Sequence, residues 1–172
     1  KIWYHMLTRC YDPKYQEKYS TYKDCAVEDY LLNFQHMGEW IENNYYEVDG
    51  EQMCLDKDIL YKGNKIYSRD TCIFVPQRIN NLFVKRDNSR GDTPIGVHPV
   101  PSGNYKVHCS DGYGKLDYLG TYSTKEEAFQ TYKNYKEKVI KEVIDSYEGR
   151  IPEPHYSKLR KAMYNYEVEI DD

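Results

Sequence analysis

At Gln52 the hydrophobic period of the chain changes, and that change constrains the fold more than any other feature of the sequence. Upstream, apolar residues recur every three or four positions. In VEDYLLNFQHMGEWIENNYY, residues Tyr30, Leu31, Phe34, Met37, Trp40 and Ile41 form a buried stripe on one helix, with His36 off the stripe at the surface or boundary. The opening KIWYHMLTRCYDPKYQEKYSTY places Trp3, Met6, Leu7 and Cys10 on one face of a shorter helix, ended by Asp12-Pro13. Downstream, QMCLDKDIL and DTCIFVP are short β-branched and aromatic runs separated by YKGNKIYSR, where Gly63-Asn64 marks a turn. PQRINNLF follows, with Pro76 in a helix-start position, and completes a strand, loop, strand, helix unit.

A polar linker, VKRDNSRGDTP, leads to a second unit. IGVHPVPSGNYKVHCSDGYGKLDYLGTYS reads as three short strands broken at Ser102-Gly103-Asn104 and Asp111-Gly112. The helix TKEEAFQTYKNYKEKVIKEVIDSY comes next, opened by a capping box of Thr124 with Glu127. Ala128, Phe129 and Tyr132 begin its apolar face, which Tyr135, Val139, Ile140, Val143 and Ile144 continue. The tail, IPEPHYSKLRKAMYNYEVEIDD, reads as a short helix and then a strand. The expected architecture is α+β: a helical segment over 1–50, a ββα unit over 51–84, a three-stranded antiparallel sheet packed on a helix over 85–147, and a closing segment over 148–172.

No apolar run approaches the roughly 20 residues that span a bilayer, and the opening residues lack the pattern of a secretory signal, so the expectation is an intracellular protein without a membrane partner. Five cysteines, an odd count with no C-x-x-C pair, argue against a disulfide framework and against a zinc knuckle. They read as reduced, mostly buried thiols, with a metal site using Cys54 and Cys72 as the alternative. The net charge of −4 conceals an uneven distribution: residues 52–141 carry 15 Lys/Arg against 10 Asp/Glu, whereas 1–51 carry 5 against 10 and 142–172 carry 4 against 8. A basic middle between acidic ends suits a central surface for phosphate, and ordinary solvated surface is the competing reading. The 20 tyrosines either build half-exposed faces or stack on bases, and composition does not choose.

Residues 55 to 80 resemble the HNH, or His-Me finger, nuclease motif. That resemblance implies two strands and a helix holding one divalent metal, Mg²⁺ by its oxygen ligands, against a scissile phosphate. Asp56 stands where the family's metal-binding Asp stands, Asn64 matches the loop Asn that orders the turn, and Asn80 matches the helical ligand. Lys57 falls on the position of the general-base His. Flanked by Asp56 and Asp58, whose charges favour an ammonium, Lys57 is better suited to gripping phosphate than to taking a proton from water. Three readings stay open: an active nuclease in which Lys57 or Asp58 acts on water or phosphate, a finger that holds DNA without cutting it, and an unrelated strand pair with a helix.

The second unit resembles the plant ethylene-response-factor DNA-binding domain and its relatives in phage integrases and homing nucleases, through GVH at 96–98, GNY at 103–105, LGTY at 119–122 and TKEEAFQTY at 124–132. The resemblance implies a sheet lying in the major groove, with His98, Tyr105, Lys106 and His108 projecting toward DNA and Arg86, Arg90 and Lys115 near phosphates. His98 and Tyr105 replace the family's Arg and Trp, and Leu119, Gly120, Ala128 and Tyr132 read as packing between sheet and helix. With the leading W-x-x-M-L-x-R-C-Y stretch, the chain is similar to phage-encoded homing-type HNH endonucleases. The implied protein is phage- or prophage-encoded, works in the host cytoplasm, and binds and hydrolyses double-stranded DNA with a divalent metal. The alternatives are a catalytically inactive DNA-binding or regulatory protein, and a phage protein that acts on a host protein.

Overall fold

In the segment before Gln52, polar side chains cap two of the helices, at Asp12 and at Asn33. Asp12 ends α1 (Ile2–Tyr11) and its carboxylate accepts from the backbone of Lys14 and Tyr15 to open α2 (Pro13–Lys18). A 3₁₀ turn at Ser20–Tyr22 and a two-residue strand, β1 (Ala26–Val27), lead to α3 (Asp29–Leu32) and α4 (Phe34–Asn44). The expected single helix is thus broken. Asn33 takes an extended backbone and its Oδ1 accepts from Gln35 and His36 N–H at 2.9 and 3.3 Å, so it caps a new helix instead of continuing the old one. Phe34 consequently leaves the stripe: it is 67% exposed, with its ring edge-on to Trp3. Leu31, Met37 and Trp40 keep their buried places.

The computed structural model describes residues 1–84 and 91–172, so Arg86 and Arg90 lie outside the described residues. β2 (Met53–Asp56) pairs antiparallel with β4 (Ile73–Pro76), Met53 opposite Pro76 and Asp56 opposite Ile73. Between them β3 (Ile66–Tyr67) leaves the hairpin and pairs in parallel with β1. α5 (Gln77–Leu82) starts directly after β4 and packs on both β2 and β4.

β5 (Val97–Pro99), β6 (Tyr105–Ser110) and β7 (Leu116–Tyr122) form an antiparallel sheet in that order. α6 (Lys125–Asp145) covers one face of it, with its N-terminus capped by Thr124 Oγ1 accepting from Glu127 N–H. Val107 and Cys109 point from β6 into this packing, and α7 (His155–Tyr164) lies against α6 through Leu159 and Met163. Each fully buried aliphatic chain here contributes about 1.5–3 kcal/mol. Gly96 explains its own identity: at φ +72°, a Cβ there would stand 2.0 Å from the Tyr132 ring and 2.8 Å from the His108 carbonyl.

The tail after α7 makes no strand. Its backbone is satisfied by side chains of α6: Val168 N–H donates to Glu137 at 2.9 Å and its carbonyl accepts from Lys133 at 3.0 Å. Asp172 accepts from Lys62 Nζ at 2.7 Å and from the backbone N–H of Glu169. Buried residues from every segment join one core. No described helix is long and apolar enough to cross a membrane.

Candidate functional site

Two places gather the residues singled out above. The first is the loop of the β2–β4 hairpin. Asp56 ends β2 and its Oδ1 accepts from the backbone N–H of Asp58 and Ile59, at 2.8 and 2.7 Å, turning the chain out of the strand. Burial, and then the neighbouring Asp58 charge, push its carboxyl up to about 6. Lys57 is 6% exposed. Its Nζ donates to the Asn64 carbonyl at 2.9 Å and to Asp58 at 3.1 Å, and the ammonium lies 5.8 Å from the centre of the Tyr67 ring. Asn64 answers by donating its amide to the carbonyls of Lys57 and Ile66, both at 2.7 Å. The pair therefore closes the loop from both sides, and the Lys57 ammonium is turned inward. Asn64 thus ties the loop together, with Lys57 as its partner.

A hard cation needs oxygen donors, and Mg²⁺ takes only one or two from protein. Asp56 retains Oδ2 for that purpose, since only Oδ1 serves the turn. Asp58 is about half-exposed beside it, and a raised carboxyl next to a second carboxylate is the electrostatic setting that a divalent cation relieves. Asn80, the fourth residue of α5, is half-buried, and no hydrogen bond joins its side chain to Asp56 among the described residues. Those residues contain no cluster of three His, Cys, Asp or Glu side chains arranged for a metal. Cys54 donates to Gln77 at 3.0 Å, while Cys72 is buried with its thiol pushed up to about 12, mainly by that burial. Neither thiol is prepared to act as a thiolate ligand.

The second place is the face of the β5–β6–β7 sheet that α6 leaves open. Register puts His98 opposite Lys106 and Lys106 opposite Thr121 in one row, with His108 opposite Tyr118 in the next. The His98 and His108 rings lie 5.8 Å apart, and His108 and Tyr118 rings 5.4 Å apart. Tyr118 and Leu116 are 60% and 61% exposed. No described strand residue on this face is acidic. Asp117 lies on the opposite face, where it accepts from Tyr135 of α6 at 2.7 Å and pairs with Lys115 at 2.8 Å.

No family model matches this chain. Likewise, no curated protein and no solved structure gives a match.

The strand period of two corrects one expectation. Tyr105 and Lys106 are adjacent in β6 and cannot project from the same face. Tyr105 lies on the helix side, half-buried against the core with Lys125 Nζ 6.0 Å from its ring, while His98, Lys106 and His108 share the open side. Lys115 sits in the β6–β7 hairpin, already paired with Asp117. Tyr118 and Thr121 were not foreseen, although alternation along LDYLGTY was the available signal. The irregular step at Leu119-Gly120, where the register shifts between Val107 and His108, hides it.

A cleft of about 870 Å³ also lies between residues 59–62, 69–73 and α7. Lysines 158 and 161 line it, but so do Asp70, Glu167 and Glu169, and Lys62 is already bonded to Asp172 and Glu169. Its mixed charge contrasts with the open face of the sheet, where no described strand residue is acidic.

Proposed function

We propose that this protein binds double-stranded DNA through the open face of the β5–β6–β7 sheet. The observation that carries the reading is the arrangement of His98, Lys106, His108, Tyr118 and Thr121 on an open sheet face that carries no carboxylate among the described strand residues, with a helix packed behind it. Lys106 supplies a fixed cation for phosphate, and the imidazoles and hydroxyls supply donors and acceptors for base edges. The major groove of B-DNA is wide enough to admit a β-ribbon. The resemblance to ethylene-response-factor domains supports the same orientation. Within this reading, the resemblance to phage endonucleases suggests work in the cytoplasm of a phage-infected or lysogenic host.

Metal-dependent phosphodiester hydrolysis at the β2–β4–α5 unit is the second reading, favoured by the raised Asp56 carboxyl beside Asp58. There Asp56 Oδ2 and Asn80 would hold the cation, whose chemistry is to stabilise charge on the phosphate and leaving oxygen. Lys57 weighs against it, because its ammonium is committed to the loop rather than placed to accept a proton.

The two readings separate in one experiment. Labelled duplex and single-stranded DNA are titrated with protein over a range of salt, and plasmid is incubated with Mg²⁺ or Mn²⁺ beside Asp56→Ala. Duplex binding that weakens steeply with salt is expected. Preference for the single strand, or no binding at low salt, rejects the main reading. Nicked plasmid that disappears in the variant establishes the second.

A further inference from the structure

The open sheet face carries two imidazoles where a single arginine would suffice to meet guanine, and their placement has a consequence. His98 is exposed, yet its ring faces His108 at 5.8 Å and it stands directly across from Lys106. Among the described residues, the other groups on this sheet and the helix behind it are Tyr118 and Thr121 on β7, which bond each other at 2.7 Å, and Lys125 and Lys136 of α6, which face Tyr105 and Cys109. Apart from Asp117, held on the far side by Tyr135 and Lys115, every charged or titratable neighbour named is cationic, neutral or hydroxylic. Partial burial first, and then His108 and Lys106, lower the pKa of His98 from its usual value. In the free protein at neutral pH His98 is therefore an uncharged ring with one donor and one acceptor nitrogen.

A duplex brings a dense array of negative phosphates to that face. Their field reverses the local balance and favours the imidazolium. Once protonated, His98 offers only donors, and the base whose major-groove edge offers two acceptors and no donor is guanine, through N7 and O6. The neutral ring, able to donate or accept, makes no such choice. Resting on the duplex-binding reading above, we propose that His98 is a base-reading residue that recognises guanine, taking up a proton as the duplex binds. The 5.8 Å between the rings exceeds one base-pair rise of about 3.4 Å and is less than two, so His108 meets the same or the adjoining pair.

The sign follows from linkage. Binding raises the pKa of His98, so affinity increases as pH falls between the bound and free values, by at most about tenfold per unit for one proton, and is level outside that window. The full chain is titrated at fixed salt, near about pH 5.5 and pH 7.5, with duplexes of equal length that are either rich in G·C or composed of A·T. Calorimetry in two buffers of different protonation enthalpy counts the protons taken up. The G·C duplex is expected to bind about tenfold tighter at the lower pH with uptake approaching one proton, and the A·T duplex to gain much less. His98→Gln abolishes the pH-dependent gain, and His98→Lys binds the G·C duplex tightly at both pH values. Equal gains for both duplexes, or an unchanged pH profile in His98→Gln, overturn the role of His98 while leaving duplex binding in place. Failure of the native chain to bind either duplex at either pH overturns the duplex-binding reading and this inference with it.

Discussion

Replacing Lys57 by Met tests whether this residue serves the loop or a ligand. Methionine keeps the unbranched length that fills the buried site, so packing is nearly preserved and the ammonium alone is lost. Two bonds disappear, at 2.9 Å to the Asn64 carbonyl and at 3.1 Å to Asp58. The Asp58 side chain is 47% exposed, so water replaces that partner and the ion pair is worth no more than about 0.5 kcal/mol. The Asn64 carbonyl is different: its partner is a buried charged donor, and losing such a bond costs about 1.5–3 kcal/mol. Relief from burying an ammonium offsets part of this, which leaves a net loss of roughly 2 kcal/mol. For a chain of this size that lowers the melting midpoint by about 4–8 °C. Urea unfolding followed by circular dichroism should show a lower midpoint at constant slope, while duplex affinity and its salt dependence stay as in the parent. An unchanged midpoint, with weaker binding and a salt slope shallower by about one, would show that Lys57 grips phosphate and would refute the internal role.

Lys106→Ala should weaken duplex binding for all sequences alike and reduce the salt slope by about one, as measured by fluorescence anisotropy between low and moderate salt. Gly96→Ala forces a Cβ to 2.0 Å from the Tyr132 ring at a left-handed φ, and the strain and overpacking together should cost about 3 kcal/mol in denaturant unfolding. Lys136 is 8% exposed, makes no hydrogen bond among the described residues, and has its pKa lowered by burial. A cation with a depressed folded pKa gains stability as pH rises through that value, up to the unfolded value near about 10.4. Lys136→Met should therefore be more stable than the parent at neutral pH by about 1–2 kcal/mol, with the difference shrinking as pH approaches about 10.

The elements that sequence reading located are those in which local pattern and tertiary packing agree. Val107 and Cys109 alternate with Lys106 and His108, and the sheet uses them that way. Thr124 precedes a long apolar stripe, and α6 begins there. The misses share a cause: a side chain satisfied the backbone in a way that periodicity does not register. Asn33 sits within a helical stripe yet caps a new helix, because its short amide reaches two backbone donors. The tail carries strand-like Val168 and Ile170, but Glu137 and Lys133 supply the bonds that a neighbouring strand would have made. Tyr105 could have been assigned correctly from the period of two alone. The resemblance alone puts it on the open face, and the strand geometry takes precedence.

A general base has to present an unprotonated nitrogen to water, and position 57 of the hairpin loop holds a buried Lys whose three donors require acceptors. The loop provides two, the Asn64 carbonyl and the Asp58 carboxylate, and the Asn64 amide in turn reaches the Lys57 carbonyl, so Lys57 and Asn64 fix each other across a seven-residue separation. Substituting both residues should then cost less than the sum of the single losses, with a coupling of about 1 kcal/mol in a double-mutant cycle. Coupling near zero would mean that the two contacts act independently and that Lys57 is free to turn outward. Under the reciprocal arrangement, placing a histidine at position 57 removes the Nζ that reaches the Asn64 carbonyl, so it loosens the loop before it can supply a base. On the hydrolytic reading, a base at this position therefore requires a second change that satisfies the Asn64 carbonyl. A Lys57→His variant that cleaves plasmid with Mg²⁺ and keeps the parent's melting midpoint would contradict this.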